Sequence, residues 1–148
     1  MTKNVCVMGL GFVGFPMAIA LANVKSKGYI KYKVFGYDNN KYKTSFLLNC
    51  INKRKLPFKS NDKILRDKYL FSCKFNKIRI LREASELKKM DVVIVSVGFD
   101  FLNKARPFEN LLKLIENITF IAKKGSLILF ETTLPPGTFE KILQPKIK

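Results

Sequence analysis

Three glycines near the start of the chain, Gly9, Gly11 and Gly14, stand in the spacing G-x-G-x-x-G, and one carboxylate, Asp38, closes the next strand-like run. A glycine directly after a strand lets the backbone turn tightly. A second leaves room where a pyrophosphate must approach the main chain, and a third lets the following helix sit against the strand. The N–H groups at that helix start supply donors and a favourable dipole for phosphate. Asp38, at the end of Tyr32-Lys33-Val34-Phe35-Gly36-Tyr37, is placed to accept both hydroxyls of an adenine ribose and to repel a 2'-phosphate, which favours NAD over NADP. Asn39 and Asn40 are neutral and no arginine stands beside Asp38, although Lys41 acts the other way. Two other readings fit the same residues: turn glycines with Asp38 capping the next helix, or the same phosphate chemistry serving FAD.

The elements that must position these residues follow from hydrophobic periodicity. Val5–Met8 is a continuous apolar run suited to a strand covered on both faces. Phe12 to about Lys25 repeats apolar residues at helical spacing, with Pro16 early enough to be tolerated. Gly28 fits its exit turn. Lys33–Tyr37 is the second strand, Lys41–Ile51 a helix, and Asp62–Lys68 a further helical segment. Lys77–Leu81 and Tyr69–Phe75 compete for the third strand, and Ala84–Lys88 is a short helix. Val92–Val97 is the clearest buried strand. Pro107 starts a helix reaching about Ala122, Gly125 ends it, and Leu127–Phe130 is a fifth strand. A loop over Thr132–Gly137 precedes a final helix from Thr138. Strands alternating with helices imply a three-layer α/β domain with a doubly wound, Rossmann-like parallel sheet over residues 1–148. Its six-stranded form requires a further strand, so the sheet is expected to lack its last strand or strands, with five-stranded closure as the alternative.

At 148 residues and 47% hydrophobic content the chain is one ordinary globular domain. No run approaches the roughly 20 apolar residues that span a bilayer, and a secretory leader is not expected ahead of the first strand. Cys6, Cys50 and Cys73 are odd in number and widely spaced, and the chain has no histidine. That pattern encodes neither a zinc site nor a Cys-His nucleophile, and it fits a reducing cytoplasm. The net charge of +17 comes mostly from scattered lysines in an asparagine-rich chain, which reads as a solvated basic surface. The densest cluster, Lys53-Arg54-Lys55, lacks the interleaved aromatics of a stacking platform, so no specific nucleic acid is expected.

The stretch Gly9-Leu10-Gly11-Phe12-Val13-Gly14-Phe15-Pro16-Met17-Ala18 resembles the nucleotide-sugar 6-dehydrogenases, the UDP-glucose, UDP-N-acetylhexosamine and GDP-mannose enzymes. Gly36-Tyr37-Asp38-Asn39-Asn40, Asp91–Val97 and Glu131-Thr132-Thr133-Leu134-Pro135-Pro136-Gly137-Thr138 fall in that family's order. The resemblance implies oxidation of a sugar's C6 alcohol to a carboxylate with two NAD, in polysaccharide biosynthesis. It implies cofactor contacts at Gly9, Gly11, Phe12, Val13, Gly14, Asp38, Val97 and Glu131, and a positioning role near the reacting carbon for Thr133. Thr133 bracing its loop, and Glu131 capping a turn, are the structural alternatives. The family's central helix, substrate domain and cysteine nucleophile lie beyond the matched residues, and none of Cys6, Cys50 or Cys73 corresponds to that nucleophile. The fragment alone is therefore expected to be inactive, to meet a nucleotide-sugar only in the full-length enzyme, and to be capable of homo-oligomerisation. Where the family commonly has Val-Pro-Thr-Pro, this chain has Val97-Gly98-Phe99-Asp100, a departure at the cofactor side. Rival readings are a 3-hydroxyacid or 6-phosphogluconate type dehydrogenase, or a noncatalytic nucleotide-binding remnant.

Overall fold

Val5 and Val7 face one side of the first strand and Cys6 and Met8 the other, and all four are buried. A strand apolar on both faces must be central, and in the computed structural model, which describes residues 2–98 and 107–147, it is. Strand β1 (Lys3–Met8) pairs in parallel with β4 (Tyr32–Tyr37) on one side and β6 (Val92–Val95) on the other. With β5 (Ile78–Ile80) and β7 (Leu127–Phe130) they form a five-stranded parallel sheet in the order β5-β4-β1-β6-β7. The register sets Val5 opposite Val34 and Val92, so valines meet across the sheet centre.

Two layers cover the sheet. Helices α1 (Gly14–Ala22), α2 (Lys41–Asn52) and α3 (Lys63–Lys74) enclose a core of Val5, Val7, Phe15, Ile19, Leu47 and Tyr69. A 3-10 turn at Ala84–Lys89 and helix α4 (Pro107–Ile121) cover the opposite face over Cys6, Met8, Leu87, Val93, Val95 and Ile118. Asn40 and Asp62 cap α2 and α3 by accepting from the N–H groups of Lys43 and Leu65. The expected three-layer, doubly wound parallel sheet is the fold found.

Local differences have physical causes. Helix α1 ends at Ala22 rather than near Lys25, because the Asn23 amide donates back to the Ile19 carbonyl and across to Ser72 Oγ at 2.8 Å. The next residues form a small hairpin, β2 (Lys25–Ser26) against β3 (Tyr29–Ile30), unforeseen in the sequence. Its two turn residues, Lys27 and Gly28, both have positive φ, 49° and 82°, as a tight primed turn requires. Tyr69–Phe75 is not a strand: residues 69–74 complete α3, because Leu65, Tyr69, Ser72 and Cys73 share one inward face. Beyond Thr138 the chain forms a wide turn, Phe139–Leu143, and a 3-10 turn, Gln144–Lys146, instead of a regular helix. Pro145 offers no N–H and its ring crowds the carbonyl four residues earlier.

The Asp62 cap gives a direct test of the local argument. Asp62→Ala should destabilise the chain by about 1 kcal/mol. It should lower the melting temperature by roughly 2–4 °C, read by circular dichroism. An unchanged melting temperature would show that α3 does not depend on its cap.

Candidate functional site

The strand order reverses between β1 and β6, and at such a switch point the strand ends open a crevice. Its floor is made by an approach only glycine allows. Gly9 has φ +90°, and a Cβ there would run into the carbonyl of Ser96 at the end of β6. A Cβ at Gly14 would run into the Gly9 carbonyl oxygen and lie 3.3 Å from Ser96 Cβ. The third glycine behaves oppositely: a Cβ at Gly11 would meet nothing within 4 Å. Two glycines therefore close the strand–helix junction, and the middle one keeps open space in front of the helix start. Phe12 and Val13 precede α1 and are exposed.

Asp38 ends β4 beside this loop, its side chain only 7% exposed. Its Oδ2 accepts from the Leu10 N–H at 2.9 Å and pairs with Lys43 Nζ at 2.7 Å, while Oδ1 accepts from the Asn40 N–H at 3.1 Å. Burial pushes this carboxyl upward. The hydrogen bonds from Lys43, Leu10 and Asn40, with the lysine's charge, outweigh it and hold the group below the ordinary carboxylate value. The sequence points to Lys41 as the cation nearest Asp38, and the structure puts Lys43 there instead. The signal was positional: Lys43 is the third residue after the Asn40 cap, and a side chain there reaches back over the helix start.

A cavity of about 320 Å³ at the switch point is lined by Met8, Gly9, Asp38, Asn39, Lys43, Ser96, Val97, Gly98, Leu111 and Leu114. It brings together Gly9, Asp38 and Val97 from the sequence-derived set. Gly11, Phe12, Val13 and Gly14 belong to the adjoining loop and helix start. Glu131 and Thr133 are exposed beyond the end of β7 and do not line this cavity. The neighbouring Thr132, given no role by the sequence, donates from Oγ1 to the Val97 carbonyl at 3.1 Å and ties the β7 loop to the crevice wall. Phe99 and Asp100, the residues of the family departure after Gly98, lie outside the described residues. A second hollow that Asp38 also borders is lined by Lys41, Arg82 and Glu83, two cations and a second carboxylate.

None of the three cysteines lines the crevice. Cys6 is fully buried inside β1, and burial, with a smaller contribution from the Glu86 charge, pushes its thiol up to about 12. Such a thiol is inert at neutral pH. Among the described residues there is no cluster of three metal-ligating side chains, and no helix is long and apolar enough to cross a membrane.

The comparisons with known proteins agree with this geometry. The model of the UDP-glucose/GDP-mannose dehydrogenase family, NAD binding domain, matches residues 3–148. Protein CapL of Staphylococcus aureus is 27% identical over 149 residues, an alignment covering 100% of this chain and 31% of that protein. The UDP-N-acetyl-D-mannosamine dehydrogenase of Pyrococcus horikoshii is 29% identical over 139 residues, covering 94% of this chain and 30% of that protein. Among solved structures, an NDP-N-acetyl-D-galactosaminuronic acid dehydrogenase from Methanosarcina mazei Go1 superposes with a TM-score of 0.79 at 25% identity, over 99% of this chain and 30% of that one. The chain thus spans just under a third of the length of these relatives.

Asp38 provides the pH test of the site. Its folded pKa is depressed, so its contribution to stability is complete above the unfolded carboxyl value and is lost as pH falls from there toward the folded one. Asp38→Asn should cost about 1–3 kcal/mol at pH 7, through lost hydrogen bonds to a charged acceptor. The gap in urea midpoint between the two proteins should close as pH drops below about 4. A gap of constant size down to pH 3 would contradict the ionised, partnered carboxylate.

Proposed function

The chain belongs to the UDP-glucose/GDP-mannose dehydrogenase family as its NAD-binding domain, and from that premise we propose that it serves an enzyme oxidising the C6 alcohol of a UDP- or GDP-sugar to the carboxylate. The observation that carries the cofactor reading is the open space before Gly11, set between a helix start and the buried carboxylate of Asp38. The residues fit a dinucleotide. Gly11 leaves open the place a pyrophosphate would take, and the donors offered there are the N–H groups of Phe12, Val13 and Gly14, since Phe15 and Met17 donate to the Gly11 and Val13 carbonyls and Pro16 has no N–H. Asp38, ionised at neutral pH, would accept ribose hydroxyls at the edge of the same crevice. Bound NAD supplies the hydride acceptor. The protein's part is to orient it and keep its adenosine end fixed.

The ion pair with Lys43 bears on selectivity. A 2'-phosphate would be repelled by Asp38 and Glu83 and attracted by Lys43, Lys41 and Arg82, so NAD is preferred to NADP by less than a lone acid would give. Glu131 and Thr133 belong to this proposal as groups that a bound cofactor or substrate reaches from the β7 loop. A hydroxyl such as Thr133 can position water or the sugar but is no strong base by itself.

Calorimetric titration tests the cofactor site. NAD should bind saturably in the sub-millimolar to millimolar range, with NADP weaker. Asp38→Ala should weaken NAD and narrow its advantage. Gly11→Val should weaken NAD at least roughly tenfold, by blocking backbone approach, yet leave the melting temperature unchanged, because its side chain enters open space. NAD binding as tight as wild type in Gly11→Val would place the pyrophosphate elsewhere.

Turnover is a separate expectation. The 148 residues alone should reduce no NAD with UDP-glucose, UDP-N-acetylhexosamines or GDP-mannose, since no cysteine borders the crevice and the chain spans 31% of the CapL protein. Absorbance at 340 nm over hours at high protein concentration reads this out. Sugar-dependent NADH formation with matching uronic acid would overturn it.

A further inference from the structure

The loop between α2 and α3 carries a feature the cofactor site does not use. Residues 55–59 form a ridge with a cleft on each side. One cleft, of about 500 Å³, adds Arg54 and Arg66 to the ridge; the other, of about 480 Å³, adds Lys53 and Phe46. Lys55, Lys59 and Phe58 border both. Five cations thus line two adjoining clefts, and no carboxylate lines either one. Ion pairs form at Lys43, Lys123 and Lys146; these five cations, like most of the lysines of this basic chain, enter none among the described residues.

The ridge is held in place. The Lys55 N–H donates to the Cys50 carbonyl at 2.9 Å, and the fully buried Tyr69 donates its hydroxyl to the Lys55 carbonyl at 3.1 Å. Arg66 Nη2 donates to the Ser60 carbonyl at 3.0 Å. Arg54 takes the left-handed backbone, φ 53°, of the residue just past the α2 C-cap, and its N–H donates to the Ile51 carbonyl at 3.1 Å. Chain folding also brings in what the run Lys53-Arg54-Lys55 lacks. Phe46 comes across from α2, 51% exposed, and Phe58 stands on the ridge, its ring 5.9 Å from that of Phe12. The exposed ring of Phe46 and the half-buried ring of Phe58, which also packs against Phe15, lie among these cations, and cations beside aromatic rings suit a ligand that alternates phosphates with unstacked bases.

We propose that the two clefts form one sequence-independent binding surface for single-stranded nucleic acid, with the five cations taking phosphates and Phe46 and Phe58 stacking bases. Duplexes are disfavoured because their bases already stack on one another. An inorganic polyphosphate would satisfy the cations but leave the apolar lining of Phe46, Leu56, Phe58 and Leu70 uncovered. The clefts share no lining residue with the cofactor crevice, and they adjoin the glycine loop through the contact of Phe58 with Phe12.

The test uses the whole 148-residue chain and a fluorescein-labelled oligothymidine of roughly 12 nucleotides, within the usual footprint of such sites. Anisotropy should show saturable binding whose logarithm falls with log salt at a slope of about −2 to −3.5, for three to five phosphates neutralised. Lys55→Glu/Lys59→Glu should weaken binding at least tenfold, whereas Lys113→Glu/Lys124→Glu, an equal charge change on the opposite side of the sheet, should weaken it less than threefold. Phe46→Ala, at a half-exposed position, should weaken binding about fivefold or more with an unchanged melting temperature. If the double glutamate variant fails to fold, the salt slope and Phe46→Ala decide. Equal weakening by both charge reversals would reduce the effect to net charge. No loss in Phe46→Ala, or polyphosphate competing as well per charge as the oligonucleotide, would remove stacking and overturn the assignment.

Discussion

Everything at the switch point depends on the near-contact between three backbone segments: the turn at Gly9, the carbonyl of Ser96 at the end of β6, and the first residue of α1, Gly14. No Cβ fits at either glycine without displacing main-chain atoms. Because backbone meets backbone there, α1 starts directly against the ends of β1 and β6, beside the crevice. Relaxing that approach by even one methyl group would lift the helix from the sheet. Phe15 and Ile19, fully buried beneath it, would lose their packing, so the geometry that receives phosphate and the packing that holds the core are one arrangement.

Asp38 ties the second strand to this junction. Its carboxylate reads the loop through the Leu10 N–H and the next helix through Asn40 and Lys43. A single acid thereby orients the glycine turn and presents charge to the crevice. With Lys43 closing the pair, the site is closer to electrically balanced than a lone acid would be, which separates cofactor shape recognition from simple charge recognition. The rest of the molecule is strongly basic, yet the crevice is not where unpaired cations concentrate. Five of them line the two clefts at the α2–α3 loop.

Much of this was legible in the residues. The continuous apolar strands, the glycine spacing and the alternation of strand and helix specify the doubly wound sheet, because those patterns arise from local backbone and burial requirements. What escaped notice depended on contacts remote in sequence. The Lys27-Gly28 hairpin used a lysine where asparagine is the usual marker. Tyr69–Phe75 carries aromatic residues that suit a strand, until tertiary burial of Tyr69 and Ser72 selects the helix. Lys43 and Thr132 matter through partners at Asp38 and Val97 that lie on other elements. Likewise Phe46 and Phe58 join the basic run only after folding.

The central claim is that NAD lies across the start of α1, with its pyrophosphate against Gly11 and its ribose at Asp38. Titrating NAD into the isotopically labelled chain and following backbone amide resonances examines that claim position by position. The account predicts the largest shifts at Gly11, Phe12, Val13 and Gly14, with further shifts at Asp38 and Val97. Shifts centred on another surface, with the glycine turn unmoved at saturation, would contradict it.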